Sequence, residues 1–397
     1  MPPFTQFSYY ISGPDNPVFA ELAIWDKPLA LTRDFSMSVP AKDETQFVTI
    51  GDYFLAARLF FETCGIDFIV DAVKQRFKED INPEHIEHIA IFLVKHGEFY
   101  HPSRIEASIH ATQIPFVLNV AISRAGKAHI EGEYRNLKRL NRDFAFDFLP
   151  QVYGWHEVEI ANRHRVPMFL GEWLDGYHEF HISREPGERK NKIAVWDSGA
   201  APYFLNKSQS LNLYTRAAGI LTAYYNLQTF EQICAWHHAA GDFIVRLEDE
   251  KLDLKLITVR RYAPIFEKSL LDDPNNPRDS AEFILQALLL FFLNLSFKMR
   301  LDRLDGVGDS VWADDQALQG TLVGFLNALA LKANIPALPD TPLRCFFHYL
   351  SLCSKAVLRE LSESLLNRFN PDSTEIDLIK QHLGSHIDAL FDCIHKF

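Results

Sequence analysis

A short segment of this 397-residue chain, Trp236-His237-His238-Ala239-Ala240-Gly241-Asp242-Phe243, contains residue types that support acid–base chemistry. An imidazole accepts a proton near neutral pH, as a general base must. A carboxylate oxygen is a ligand that magnesium prefers in proteins. The segment therefore contains two imidazoles and one carboxylate within six positions, and these groups suit such chemistry. The alternative is that His237 and His238 are packing residues at a helix end, and the sequence alone leaves both interpretations open.

A threonine and two arginines follow in the stretch Leu256-Ile257-Thr258-Val259-Arg260-Arg261-Tyr262, which contains no carboxylate. Threonine is a weak magnesium ligand, whereas Arg260 and Arg261 repel a metal ion and attract an anion. We therefore expect this stretch to favour an anion over a metal.

A second group of basic residues surrounds a turn at Gly97. Lys95, His96, His101 and Arg104 lie close together in the sequence and can form an anion-binding surface. A lone glycine, however, predicts an ordinary turn before it predicts a phosphate site, and the stretch lacks a glycine-rich phosphate loop. Both interpretations stay open.

In the stretch from Lys298 to Gly306 (KMRLDRLDG), arginines and aspartates alternate: the two arginines, Arg300 and Arg303, are three residues apart, and so are the two aspartates, Asp302 and Asp305. Residues three apart are neighbours on a helix surface, so the spacing predicts exposed ion pairs near the end of a helix. The alternative is that these charges line a substrate cleft.

Composition limits the classes of function. The formal net charge of −12 gives no electrostatic footprint for nucleic acid. Five scattered cysteines predict reduced thiols, and the start of the chain shows no signal peptide, so we expect a cytoplasmic protein. The apolar stretch 283–297 is too short to cross a bilayer comfortably and predicts a core helix, so no membrane partner is expected.

Hydrophobic periodicity predicts a β-rich first half and a helical second half. Residues 1–50 contain short β-like runs, and Gly65 should separate two helices at 52–64 and 66–77. An antiparallel meander of three strands should follow at 88–97, 103–110 and 115–123. A helix at 130–141, two strands at 148–158 and 166–174, a helix at 208–227 and a hairpin at 242–259 should come next. Four or five helices should follow Asp279.

This order of elements resembles the kinase-like superfamily, in particular its aminoglycoside and choline phosphotransferase branch, over roughly residues 85–300. The best local match is Phe169-Leu170-Gly171-Glu172-Trp173-Leu174-Asp175-Gly176, which resembles the family's hinge. The resemblance implies an α+β, two-lobed protein-kinase-like fold. Residues 1–176 would form an N-terminal extension and a β-rich lobe ending in the hinge, and residues 177–397 would form a helical lobe.

The resemblance also implies ATP and Mg²⁺ as cofactors and a nucleotide or other small anionic ligand in the cleft between the lobes. The adenine would contact the hinge near Glu172 and Leu174. Asn119 stands where the family has a phosphate-binding lysine, and Glu133 takes the place of that lysine's glutamate partner. The alternative for Glu133 is a solvated position on the helix surface.

The segment around His237 matches the family's catalytic loop in two ways. Gly241-Asp242 can be the catalytic pair, but the next strand then begins at once. In the alignment that we prefer, His237 takes the place of the catalytic aspartate and Asp242 that of the second metal ligand. Thr258 then stands where the family has its main metal-binding aspartate.

Two hypotheses follow from these replacements. The first is an active ATP-dependent phosphotransferase on a small metabolite, using His237 and Asp242. The second, which we favour, is a degenerate kinase-like protein that binds a nucleotide, another anion or a protein partner with weak or absent transfer. A third idea is that Arg104, Arg260 and Arg261 bind an unrelated acidic metabolite.

Overall fold

The computed structural model describes residues 5–29, 48–94, 97, 99–160, 164–188, 190–197, 201–234, 236–237, 241–248, 251–264, 280–368 and 374–396. The chain forms two compact units, Met1–Asp175 and Gly176–Phe397. The N-terminal unit is rich in β-structure and the C-terminal unit is mainly helical, which confirms the predicted mixed α+β composition.

A six-stranded sheet forms the centre of the N-terminal unit, in the order β1-β2-β3-β4-β6-β5. β2, β3 and β4 pair antiparallel, which confirms the predicted meander. The sequence does not predict that β1 joins this sheet, and in the structure β1 pairs parallel to β2. The strands are β1 (Gln6–Ile11), β2 (Ile86–Leu93), β3 (Ser103–Ile109), β4 (Thr112–Val120), β5 (Val152–Ile160) and β6 (His164–Glu172).

Three helices complete this unit: α1 (Ile50–Phe60), α2 (Ile66–Phe77) and α3 (Arg124–Asp143). Thr49 and Asp52 form a capping box that starts α1, and Ser123 caps α3. The predicted stop at Gly65 is wrong. A π-helical turn, 61–65, joins α1 directly to α2, and Gly65 keeps helical backbone angles (φ −66°, ψ −28°).

The first half of the C-terminal unit contains more β-structure than the sequence predicts. A three-stranded sheet, β7-β8-β9, precedes α4, and the predicted hairpin is present as β11 and β12. A separate strand pair joins β10 to β13. The bounds are β7 (Glu179–Arg184), β8 (Asn191–Trp196), β9 (Tyr203–Phe204), α4 (Lys207–Ala223), β10 (Glu231–Cys234), β11 (Phe243–Glu248), β12 (Lys251–Leu256) and β13 (Arg261–Pro264).

Five helices and one short hairpin, β14–β15, make up the rest of the described chain, and four or five helices were predicted there. α4 and α6 approach closely at Gly324, where an added Cβ would lie 2.0 Å from the carbonyl oxygen of Thr215. The bounds are α5 (Ala281–Lys298), β14 (Leu301–Arg303), β15 (Ser310–Trp312), α6 (Asp315–Ala330), α7 (Pro342–Ser351), α8 (Lys355–Leu366) and α9 (Thr374–Ile394).

Helix α5 contains the apolar stretch that the sequence marks as a core helix. It is long and apolar enough to cross a membrane by length and composition, and among the described residues it alone passes that test. Within the unit, 67% of it is buried. Ser280 caps its start, and its buried residues lie all around the helix, as in a core helix.

Candidate functional site

Asp242 lies at the end of the predicted catalytic loop, and Arg260 binds its carboxylate with two hydrogen bonds. Arg260 Nη1 donates to Oδ2 at 2.9 Å, and Nη2 donates to Oδ1 at 2.5 Å. The backbone N–H of His237 donates a third hydrogen bond to Oδ2 at 2.8 Å. The two side chains are only 2% and 10% exposed, so this is a buried bidentate ion pair.

The β11–β12 hairpin explains why these two residues meet. Asp242 immediately precedes β11, and Phe243 pairs with Leu256 at the open end of the hairpin. The backbone N–H of Ile257 then donates to the carbonyl of Asp242 at 2.8 Å. The hairpin therefore returns the chain to Asp242, and Arg260 reaches the carboxylate from there.

The ion pair does not fit the metal role that the resemblance implies for Asp242. Both of its carboxylate oxygens accept hydrogen bonds from a guanidinium, whose positive charge repels a metal ion. Thr258, the other expected ligand position, is buried and carries no carboxylate. In the described parts of the chain, no group of three or more His, Cys, Asp or Glu side chains is arranged to hold a metal.

His237 contacts an acidic residue that the sequence analysis missed. Its Nε2 lies 2.9 Å from Oε1 of Glu375, in the first turn of α9. The hydrogen bond with His237 lowers the pKa of Glu375, burial opposes this, and the charges of His237, Lys298 and Arg303 lower it further. No motif in the last 90 residues pointed to Glu375, since the contact joins positions far apart in the sequence. His238 lies outside the described residues.

The structure corrects one interpretation of Glu133. This residue is not solvated: it is 1% exposed and accepts a hydrogen bond of 2.6 Å from the hydroxyl of Tyr100. Asn119 is half-buried in β4, opposite Phe169 of β6. The position where the resemblance implies a lysine therefore holds the amide of Asn119, and the buried carboxylate of Glu133 is in contact with Tyr100.

Glu172 and Leu174 lie at the end of the N-terminal unit. The Glu172 carboxylate is 3.4 Å from Arg76 and accepts a hydrogen bond of 3.2 Å from the backbone N–H of Gln151. The N–H of Glu172 itself donates to the carbonyl of Gln151. Leu174 follows the strand and is half-buried. The side chain of Glu172 thus has a structural role at the end of β6.

The turn between β2 and β3 packs on the first half of α3. The ring of Phe99 meets His129 edge to face, with centroids 5.6 Å apart. A Cβ at Gly126 would lie 2.1 Å from the carbonyl oxygen of Phe99, so the turn and the helix need glycine at this contact. Together with the Tyr100–Glu133 hydrogen bond, these contacts tie the turn to the helix.

The basic residues near this turn do not form an open anion site in the described part of the chain. His101 is 1% exposed, and its carbonyl accepts a hydrogen bond of 2.8 Å from the hydroxyl of Tyr53. Arg104 pairs with Glu106 at 2.9 Å and lies over the ring of Trp173. Lys95 and His96 lie outside the described residues.

The predicted exposed ion pairs between Lys298 and Gly306 are wrong. The helix ends at Lys298, and the chain then enters the hairpin β14–β15. Arg300 is buried and donates to the carbonyl of Ala313 and to Asp315, both at 3.0 Å. Asp302 is also buried. The short hairpin therefore buries Arg300 and Asp302, whereas Arg303 and Asp305 are exposed.

Asp302 belongs to a second buried charge cluster, around His181 on β7. Asp302 accepts a hydrogen bond of 2.8 Å from the backbone N–H of Ile182. His181 Nδ1 lies 3.5 Å from Asp302, and its Nε2 lies 4.0 Å from Glu179. Burial lowers the pKa of His181, but the two carboxylates outweigh it and raise the pKa.

Comparisons with known proteins give little further information. No protein-family model matches the chain, and no curated protein matches it. Among solved structures, WaaP in complex with acyl carrier protein is similar at a TM-score of 0.29 and 10% sequence identity. The similarity covers 67% of this chain and 86% of that chain.

Proposed function

We propose that this chain is a kinase-like protein that binds a nucleotide or another anionic ligand and transfers phosphoryl groups weakly or not at all. The observation that supports this most directly is the buried pair between Arg260 and Asp242. A guanidinium takes the coordination positions that a magnesium ion would need on this carboxylate. The site keeps a fixed positive charge there without a metal.

The expected loss of catalysis follows from electrostatics. Phosphoryl transfer depends almost entirely on cations that neutralise the transferred group and on a carboxylate that orients the nucleophile. Asn119 and Thr258 replace two of the residues that the resemblance requires, and Asp242 is already paired. Losing one electrostatic donor typically costs about 100- to 1000-fold in rate, so several losses together leave little activity.

A nucleotide, where bound, should place its adenine against the backbone near Glu172 and Leu174. The backbone N–H of Glu172 already donates to Gln151, so the ring would use the backbone groups that follow it toward Leu174, where the strand has ended. The side-chain contacts of Glu172 with Arg76 and Gln151 hold this segment in place. A ligand-bound structure with the nucleotide elsewhere would contradict this placement.

One observation favours an active enzyme as the second candidate. The backbone N–H of His237 donates to the carboxylate of Asp242, and this contact keeps the two residues to which the alternative assigns catalysis beside one another. On this alternative the protein is an ATP-dependent phosphotransferase that acts on a small metabolite. His237 would orient the acceptor hydroxyl.

A paired experiment separates the two candidates. Thermal-shift measurements with ATP, ADP and AMP, each with and without Mg²⁺, should show stabilisation that does not require the metal. An ADP-release assay over pools of metabolites should show no turnover above that of Asp242→Ala and His237→Ala. Robust turnover that both substitutions abolish would establish the active enzyme instead. Turnover that neither substitution changes would reject the roles assigned to this loop.

A further inference from the structure

A groove runs between α6 and α7 in the C-terminal unit. Its volume is about 690 Å³, and nine residues of the two helices line it. The helices pack on one another through Phe325 and Phe346, which are fully buried with their ring centroids 5.0 Å apart. The residues that follow these two, Leu326 and Phe347, line the groove. The groove therefore lies directly beside the contact between the helices, and none of its lining residues belongs to the loop around His237.

The walls of this groove are mainly apolar. Val323 and Leu326 come from α6, Leu343 and Phe347 come from α7, and all four side chains are half-buried. Ala330 extends the α6 wall by a further turn. These side chains leave part of their apolar surface in water, and burying that surface against an apolar occupant is favourable.

The polar side chains of the groove are basic or neutral. Arg344, His348 and Ser351 follow one another along α7 at intervals of about one turn, and Asn327 comes from α6. None of the nine lining residues is acidic. Arg344 lies 3.3 Å from Asp340, but these side chains are 76% and 46% exposed, and a guanidinium has five N–H donors, so Arg344 can bind a second anion. The groove therefore complements an anionic group joined to an apolar body.

The size of the groove favours a small molecule over a protein segment. Its nine lining residues are fewer than the roughly 20–30 that each side of a stable protein interface contributes. Its volume of 690 Å³, in contrast, lies within the range of about 300–1,000 Å³ that is typical of small-molecule sites. Along α7 the groove extends from Leu343 to Ser351, a distance of about 12 Å, which suits an extended alkyl chain of medium length.

We propose that this groove binds a fatty acid with a single alkyl chain of medium length. The alkyl chain lies between Leu326 and Phe347, and the carboxylate accepts hydrogen bonds from Arg344 and from the imidazole of His348. Charge-assisted hydrogen bonds from a guanidinium are among the stronger ones that a carboxylate can accept. This site goes beyond the proposed function and does not depend on it, because it shares no residue with the candidate nucleotide site.

The test is a calorimetric titration of the full chain with decanoate at pH 7.5, below the concentration at which decanoate forms micelles. We expect saturable binding of one decanoate per chain, with shifts of the methyl NMR signals of Val323, Leu326 and Leu343. Arg344→Gln should weaken this binding about five- to tenfold, because it removes donors to a charged group. Arg359→Gln is the matched control: it removes the same charge from an exposed position on α8 outside the groove, and it should bind like the natural chain.

A second variant tests the position of the alkyl chain. Ala330→Phe fills part of the groove from an exposed position, so it should abolish decanoate binding while the circular dichroism of the chain stays unchanged. Two further ligands separate the contributions of chain and charge. Decanol, which has the alkyl chain without the charge, should bind more weakly than decanoate by about the factor found for Arg344→Gln. Acetate, which has the charge without the chain, should not bind.

Four results would overturn the proposal. The natural chain could fail to bind decanoate saturably, or a folded Ala330→Phe chain could bind it unchanged, which would place the binding elsewhere. Equal weakening by Arg344→Gln and Arg359→Gln would show a general effect of net charge. Sedimentation without ligand tests a different occupant, since a dimer that Ala330→Phe dissociates would assign the groove to a second copy of the chain.

Discussion

The hydroxyl of Tyr100 donates a hydrogen bond of 2.6 Å to Oε2 of Glu133, a carboxylate that is 1% exposed on α3. The resemblance to kinase-like proteins implies a lysine as the partner of this glutamate, and the chain has Asn119 in the lysine's place. Tyr100 comes from the turn before β3, not from β4. The buried carboxylate of Glu133 therefore accepts from a neutral hydroxyl, and this hydrogen bond joins the turn to α3.

Tyr100→Phe should lower the free energy of unfolding by about 1–3 kcal/mol, because it removes a donor from a buried carboxylate. Urea denaturation of the purified chain measures this change. Tyr134→Phe is the control, since the Tyr134 hydroxyl lies on the exposed side of α3 and contacts only Lys138 at 3.3 Å among the described hydrogen bonds. Equal effects of the two substitutions would contradict the role given to Tyr100.

Arg260→Gln should destabilise the protein by about 3–5 kcal/mol, because it leaves the charge of Asp242 buried and unpaired. Arg261→Gln is the neighbouring control, and it should change stability by no more than about 0.5 kcal/mol since Arg261 is exposed. The double variant Arg260→Met with Asp242→Leu should recover most of the loss, because no unpaired charge remains. A double-mutant cycle in urea measures the coupling, and additive losses would refute it.

His386 should make stability fall at acid pH. It is fully buried, its Nε2 lies 3.0 Å from Ser296 Oγ, and burial together with the charge of Arg300 lowers its pKa to about 3. The unfolded chain binds a proton near pH 6.5 and the folded chain does not, so stability is lost as pH falls below about 6.5, by up to about 1.4 kcal/mol per pH unit.

The measurement for His386 is the midpoint of thermal unfolding between pH 4.5 and 8. His386→Gln, which cannot titrate, should flatten the acid side of the profile. His382→Gln, one turn earlier on α9 and stacked on Trp312, should leave the slope unchanged. An unchanged acid slope in His386→Gln would show that another group causes it.

His181 should stabilise the folded protein more at low pH than at high pH, which is the opposite of the effect of His386. Its pKa is raised because the carboxylates of Asp302 and Glu179 outweigh the effect of burial. The folded state then binds a proton that the unfolded state has already lost, so this contribution is present below pH 6.5 and disappears as pH rises through the raised value. His181→Gln should therefore destabilise the chain more at pH 6 than at pH 9, in urea denaturation at both values. Equal losses at the two values would contradict this.

Local patterns in the sequence were sufficient for much of the fold. In the meander, β3 and β4 alternate buried and half-buried residues, and β11 pairs with β12 where the sequence predicts a hairpin. The parallel pairing of β1 with β2 joins residues about 80 positions apart, and such a pairing leaves no local signal.

The contacts of the predicted site residues were not visible in the sequence. The sequence predicts a site at His237 and Asp242, which stays a prediction, and it indicates that Arg260 repels a metal ion. It did not show that Arg260 binds Asp242, because that contact depends on how the hairpin closes. Glu375 follows the loop by more than 130 positions, and only the packing of α9 brings it to His237.

The π-helical turn between α1 and α2 makes this region tolerant of a change in chain length. Such a turn contains one residue more than the α-helical turn that it replaces, so the residues on either side of it keep their faces. Deleting one exposed residue, such as Thr63, should therefore leave a continuous α-helix in which Ile69 and Val73 still face the core. The same deletion inside α2 would rotate all later residues of the helix by about 100°. Homologous chains should therefore lose a single residue at this turn more often than within α1 or α2.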